Sequence, residues 1–150
     1  HYYFMNWDVK YFDKLTPQEL YAMIRLRNEV FVVEQNCVFQ DADNKDQSCY
    51  HLLGWQNENL IAYARLIPPG VIYTKMSIGR VVTSPSVREK GKGKELMKNA
   101  IEKLIELFGD QPIQIGAQLY LKKFYESFGF CQTSAIYLED GIEHIEMILS

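Results

Sequence analysis

Arg88-Glu89-Lys90-Gly91-Lys92-Gly93, running straight into Lys94-Glu95-Leu96-Met97-Lys98-Asn99-Ala100-Ile101, is the stretch that decides how this chain reads. Two glycines stand before the clearest helical pattern in the sequence. Leu96, Met97, Ala100, Ile101, Leu104, Ile105 and Phe108 keep a 3.6-residue stripe, so Lys92 to Phe108 reads as one amphipathic helix. A glycine turn at a helix start is a phosphate cradle. Glycines let backbone approach an anion closely, and the first helical turn offers unpaired N–H groups at the positive dipole end. Charge agrees, with six basic residues (Arg88, Lys90, Lys92, Lys94, Lys98, Lys103) against three acids (Glu89, Glu95, Glu102). No G-K-[ST] follows, and G-x-G-x-x-G fails at Leu96, so neither a Walker loop nor a dinucleotide fingerprint is present. Alone, [QR]-x-x-G-x-[GA] arises by chance in about one chain of this length in ten. A basic turn capping a surface helix explains it as well. The neighbours decide.

Upstream, Trp7 to Phe12 reads as an opening strand, and Thr16-Pro17-Gln18-Glu19 combines a capping box with proline at the first helical position. Leu20, Ile24 and Phe31 carry that helix to about Val33, and a polar, acidic loop follows from Glu34 to Gln47. Tyr50 to Gln56 and Leu60 to Ile67 flank Asn57-Glu58-Asn59 as an antiparallel hairpin, and Met76 to Thr83 is the next strand. Downstream come a short strand, Ile113 to Ala117, and a helix, Leu119 to Phe128, with Gly129 as its left-handed cap. Cys131 to Leu138 and Ile142 to Leu149 flank Asp140-Gly141, a strong hairpin-turn signal. The order β, α, β-β-β, α, β, α, β-β predicts an α/β fold around a sheet of mixed direction, with parallel crossovers around the two late helices. His1-Tyr2-Tyr3-Phe4 precedes Met5 and reads as an extraneous leader to a single domain over 5–150; a first strand is the other reading.

At 150 residues the chain is about one average domain, and its 47% hydrophobic and 23% charged content is that of a globular protein. A net charge of −3 argues against a general nucleic-acid binder, and no apolar run is long enough to span a bilayer. Cys37, Cys49 and Cys131 are odd in number and widely spaced, which fits reduced thiols in a cytoplasmic protein better than a disulfide framework or a zinc site.

Arg88-x-x-Gly91-x-Gly93, followed by Phe124-Tyr125-x-x-x-Gly129-Phe130, resembles the GNAT superfamily of acyl-CoA-dependent N-acetyltransferases. Leu26-Arg27-x-x-Val30-Phe31-Val32-Val33-Glu34-Gln35, Ile78-Gly79-Arg80-Val81 and Glu139-Asp140-Gly141-Ile142-x-His144 are similar to its ElaA-type branch. The resemblance implies a central twisted mixed sheet of about six to seven strands flanked by about four helices. It also implies acetyl-CoA as co-substrate, no metal, and an acetyl group passed to an amine by direct attack in a ternary complex.

Residue by residue, the likeness puts the coenzyme A pyrophosphate on the backbone amides of Gly91, Lys92, Gly93 and Lys94, with Arg88 opening that loop. The strand carrying Val81 and Val82 would hydrogen-bond the pantetheine arm, in a gap that opens toward the strand Ile113 to Ala117. Many members carry asparagine seven residues before the motif tyrosine; here that position is Gln118, which still offers an amide. Tyr125 is implied as general acid, since a phenol is a suitable proton donor to a departing thiolate. The base is open among Glu34, His51 and Glu139, and these three together with Arg80 are the expected substrate contacts. Glu34 closes a helix, where its charge is unfavourable unless paired, for instance with Arg80. His51 and His144 each read as structural or as site histidines. Asp41, Asp43 and Asp46 crowd one loop, and Glu139, Asp140, Glu143 and Glu146 crowd the end. Both sets read either as solvated polar surface or as a negative mouth for a cationic amine, which suits a primary amine or a lysine side chain.

Arg27-x-x-Val30-Phe31-x-x-Glu34 also resembles the opening of acyl-homoserine-lactone synthases, and a coenzyme-binding module without turnover is a further reading. An acyl-cysteine route through Cys37 or Cys131 lacks a matched base in the sequence. Homodimers are common for such folds, though no residue pattern marks an interface.

Overall fold

The computed structural model describes residues 4–150; His1, Tyr2 and Tyr3, and with them most of the expected leader, lie outside the described residues. Among the described residues, eight strands fall into two sheets. In the first, β1 (Met5–Tyr11), β2 (Tyr50–Gln56), β3 (Asn59–Ile67) and β4 (Ser77–Thr83) are neighbours in chain order and all antiparallel. In the second, β8 (Ile142–Leu149) lies between β5 (Ile113–Gln118) and two short pieces, β6 (Cys131–Gln132) and β7 (Tyr137–Glu139). Met76 and Ile113 form a parallel bridge between the sheets, where the Gln114 N–H donates to the Met76 carbonyl at 3.0 Å. Beyond that point β4 and β5 do not pair, and the gap expected between these two strands opens. The parallel crossovers survive in altered form: β5 and β6 are both antiparallel to β8 and hence parallel to each other.

Helices cover both faces of the first sheet, and strand alternation sorts the two cores. Met23, Leu26 and Val30 of α1 (Pro17–Arg27) and its extension meet Leu53, Tyr63 and Val82 on one face. On the other, Leu96, Met97, Ala100 and Leu104 of α2 (Lys92–Phe108) meet Leu52, Ala62, Ala64, Leu66 and Ile78. The stripe expected for α2 is therefore the buried one. The Trp7 indole N–H donates to Glu95 at 3.2 Å and pins α2 to β1.

The capping box forms in full: the Glu19 N–H donates to Thr16 Oγ1 at 3.1 Å, and the Thr16 N–H to Glu19 Oε1 at 2.8 Å. Past Arg27 the same helix widens into a π-helical turn from Asn28 to Glu34, which takes it to the length expected. Two late elements are shorter than their patterns. The helix after β5 is a 3₁₀ turn at Leu119–Leu121 followed by α3 (Lys122–Glu126). The expected strand Cys131 to Leu138 breaks into β6 and β7, because Ser134 Oγ accepts the Glu146 N–H at 2.8 Å and bends the chain away from β8. Asp140 (φ 51°) and Gly141 (φ 77°) make the predicted tight turn.

β4 carries one irregularity with consequences. Tyr63 pairs with Val82 but Arg65 with Gly79, so Arg80 and Val81 together oppose Ala64. This is a β-bulge, and Arg80 sits in the left-handed region at φ 50°, a conformation that costs a non-glycine residue about 1 kcal/mol or more.

Candidate active site

The splay between β4 and β5 opens a cleft of about 570 Å³. One wall is the edge of β4 from Ile78 to Thr83, and the other is Ile115 to Gln118 of β5. Among the described residues β4 has no strand partner along this wall, so its backbone groups face the cleft as an unpaired edge does. The Ser84 N–H donates to Ile61 at 2.7 Å toward β3, which by the two-residue alternation turns the Thr83 N–H toward the cleft. Val82 also borders the cleft, but it pairs with Tyr63 and its side chain packs against α1. Thr83 is thus the better-placed strand donor. No sequence signal marks it, because side-chain character says nothing about which amides are free.

The glycine loop closes one end. Gly91 caps α2 from the left-handed region (φ 73°, ψ 9°), and Glu89 lies there too (φ 65°). The Glu95 N–H returns to the Gly91 carbonyl at 3.2 Å, so the amides before it lie ahead of the intrahelical ladder and point outward. Arg88 and Gly93 border the cleft; Gly91, Lys92 and Lys94 are set back on the loop, and Lys92 reaches Glu95 at 3.2 Å. Free amides, a left-handed cap and a cationic loop fit a pyrophosphate, and the unpaired strand edge fits an extended amide-bearing arm.

Glu34 does not pair with Arg80 as expected. It makes a two-pronged ion pair with Arg88, which bridges the helix end and the glycine loop at the cleft rim. The Arg88 hydrogen bonds and charge hold the Glu34 carboxyl below the usual glutamate range, so it is a weaker base than its position implied.

His51 is a correction. It lies outside the cleft, fully buried, with Nδ1 2.6 Å from Tyr63 Oη and Nε2 2.9 Å from the Asp46 carbonyl. Burial pushes its pKa down, which favours the neutral ring, and His51 is not part of the cleft lining.

The acidic loop is a second correction, since it is neither a solvated surface nor a negative mouth. Asp41 and Asp46 take the fully buried Arg27 between them at 2.8 Å each. Arg65, 2% exposed, reaches Asp43 at 2.8 Å and Asp46 at 2.9 Å. Arg80 Nε lies 2.9 Å from Asp41 Oδ1 without hydrogen-bond alignment, an ionic contact, while its Nη2 donates to the Asp41 carbonyl at 2.9 Å. Three arginines neutralise three aspartates. Burial raises the Asp43 carboxyl, but the Arg65 hydrogen bond and charge, the Lys45 amide and Arg80 outweigh it and bring it to about 2.

Tyr125 lines the cleft at 7% exposure, its ring edge-on to Phe124 (5.2 Å) and Phe130 (6.0 Å). Burial pushes its phenol well above the ordinary value and keeps the proton on across the neutral range. Gln118 Nε2 donates across the cleft to Gln35 Oε1 at 3.4 Å. Glu139, Asp140 and Cys37 border the cleft, where the Cys37 thiol donates to the Asp140 carbonyl at 3.5 Å. His144, buried in β8, comes to the same wall with Nδ1 2.7 Å from the Ile142 carbonyl and Nε2 3.4 Å from Glu139 Oε2. A carbonyl only accepts, so Nδ1 carries a proton, and Nε2 is the ring nitrogen left to exchange one. The sequence leaves this histidine undecided because its tautomer depends on a tight turn two residues away.

Residues 12–150 match the family described as Acetyltransferase (GNAT) domain. Protein ElaA of Escherichia coli (strain K12) is 41% identical over 145 residues, covering 95% of each chain. Its solved structure superimposes with a TM-score of 0.92 at 39% identity, over 98% of this chain and all of that one. An acyl-CoA N-acyltransferase from Pseudomonas aeruginosa superimposes with a TM-score of 0.93 at 40% identity, over 97% of this chain and 99% of that one. An AHL synthase, LasI, shares the fold alone: TM-score 0.76 at 14% identity, over 97% of this chain and 89% of its own.

Proposed function

We propose, from the fact that this chain belongs to the GNAT family and is an acetyltransferase, that its cleft takes acetyl-CoA between β4 and β5 and passes the acetyl group to a primary amine. The transfer is a direct attack within a ternary complex. One observation carries the reading: an unpaired strand edge, a helix-start anion cradle and a buried phenol border the same cleft.

When bound, acetyl-CoA supplies an acyl group already activated as a thioester. The chain does the rest. Amides of the Gly91 to Lys94 turn hold the pyrophosphate, Arg88 answers its charge, and the Thr83 N–H holds the arm in strand-like register. Bulge backbone on β4 faces the carbonyl oxygen as its charge develops. Glu139 and Asp140 draw a cationic amine to the opposite end. An ammonium cannot attack, so His144 Nε2 accepts its proton, directly or through one water, and Glu139 steadies the imidazolium that results. As the C–N bond forms and the C–S bond breaks, the C–S electron pair goes to sulfur and Tyr125 Oη gives sulfur a proton, while the second proton shed by the nitrogen passes through water and restores the phenol. A buried phenol suits this because the thiolate leaving into the same dry wall is itself destabilised as an anion.

Calorimetry with acetyl-CoA, then thiol release over a panel of primary amines, tests the whole. Saturable binding and amine-dependent release are expected, and absence of binding overturns the reading. Tyr125→Phe should lower kcat about 100-fold or more while the acetyl-CoA Kd moves less than about threefold. Undiminished turnover in that variant removes Tyr125 as the acid.

A further inference from the structure

Arg80 holds a conformation that its side chain has to justify. It is the bulge residue of β4, at φ 50°, and the left-handed positions elsewhere among the described non-glycine residues fall in turns and loops. Every polar contact its guanidinium makes comes from one short loop. Asp41 supplies a carboxylate and a carbonyl, each at 2.9 Å, and Asp43 supplies a carboxylate at 3.4 Å. Phe39 of the same loop lies under the cation, 5.7 Å from Cζ to ring centroid.

The loop is itself anchored to the core. Asp41 and Asp46 hold Arg27 of α1, and Asp43 and Asp46 hold Arg65 of β3. Arg65 is also the residue paired with Gly79, immediately before the bulge. Two buried arginines fix the loop, the loop fixes Arg80, and Arg80 fixes the backbone of the cleft wall.

We propose that Arg80 is a positioning residue: its guanidinium, gripped by Phe39, Asp41 and Asp43, holds β4 in the bulged conformation that aims strand backbone at the acyl group. This deepens the reading of the cleft as an acetyl-CoA site and rests on it for the catalytic consequence, but not for the clamp. Arg80 does not contact the amine in this scheme, which reassigns it from the substrate role expected from sequence.

Glycine and alanine separate the two halves of the claim. Both remove the guanidinium, but glycine takes φ 50° freely and alanine does not. With acetyl-CoA and an amine acceptor, Arg80→Ala should lower kcat about 100-fold, with the acetyl-CoA Kd within about threefold of the unmodified protein. Arg80→Gly should keep kcat at least about tenfold above the alanine variant. Amide hydrogen exchange at Arg80 and Val81, read without substrate, should quicken more than about tenfold in Arg80→Ala while β1 and β2 keep their protection. Phe39→Ala, which leaves the ion pairs in place, should quicken the same two amides and lower kcat a few-fold, and it serves if the Arg80→Ala protein does not fold. Unchanged exchange at Arg80 and Val81 in both Arg80→Ala and Phe39→Ala, or glycine falling as far as alanine, overturns the proposal. Altered exchange with no acetyl-CoA binding by the unmodified protein would uphold the clamp and sink the reading of the cleft.

Discussion

Glu34 and Arg88 are about equally exposed and grip each other at the rim of the cleft, and that pairing sets up a competition. In the proposed complex, a pyrophosphate on the glycine loop would draw on the same guanidinium. Glu34→Gln should therefore tighten coenzyme A binding, by about two- to fivefold given what exposed pairs are worth. Pantetheine, which has no phosphate, should bind both proteins alike. Calorimetry with the two ligands checks this, and equal affinities for coenzyme A would show that the pair exerts no hold on Arg88. His144 is the other residue whose proposed role rests on a single contact. With Nδ1 committed to the Ile142 carbonyl, only Nε2 can take a proton from the acceptor. His144→Gln should lower kcat at least about tenfold at neutral pH, with the loss read in the chemical step by single-turnover assay. Neither assignment is legible in the sequence. Glu34 invites pairing with Arg80, but the partner that reaches it is Arg88, which fold topology alone brings near.

At the scale of elements, local chemistry is readable and distant chemistry is not. The capping box at Thr16 to Glu19, the stripe of α2 and the Asp140-Gly141 turn each depend on neighbours within a few residues, and all three form. The strand after Gly129 depends on Ser134 meeting the Glu146 amide, twelve residues away, and its pattern alone runs unbroken to Leu138. The bulge at Arg80 carries no glycine to announce it. The two glycines of the loop can likewise be told apart only by backbone. Gly91 sits at φ 73° with open space around a Cβ, whereas a Cβ on Gly93 would merely touch Phe124 at 3.8 Å. Gly91→Ala should cost about 1 kcal/mol in chemical denaturation and weaken coenzyme A binding, and Gly93→Ala should be nearly neutral to stability.

Across the whole molecule, the ionic cluster ties a helix, a strand, the bulge and a loop into one unit through Arg27, Arg65, Arg80 and their aspartates. Its partners lie fourteen or more residues apart, which is why the sequence shows only a crowd of acids. Asp43, brought to about 2, and Asp46, also lowered by Arg27 and Arg65 against burial, are more acidic folded than unfolded. Groups of that sign lend stability that is complete above the ordinary carboxylate pKa near about 4 and is lost as pH falls toward about 2. Melting temperature should therefore fall steeply between about pH 4 and 2. Asp43→Asn should lower the neutral-pH value and flatten that slope, and a slope unchanged in the variant would place the acid sensitivity elsewhere.

The lone bridge between Met76 and Ile113 has a consequence for how the protein keeps its own company. A bare strand edge normally invites a neighbouring molecule to add a strand, which is how sheets grow into aggregates. Here the bare edge of β4 faces inward, into a wedge whose other side is β5 and whose apex is that bridge. A slender, flexible guest can lie along it, but the rim of a second folded sheet cannot reach it. The same splay that opens a binding groove therefore turns this edge away from other copies of the chain.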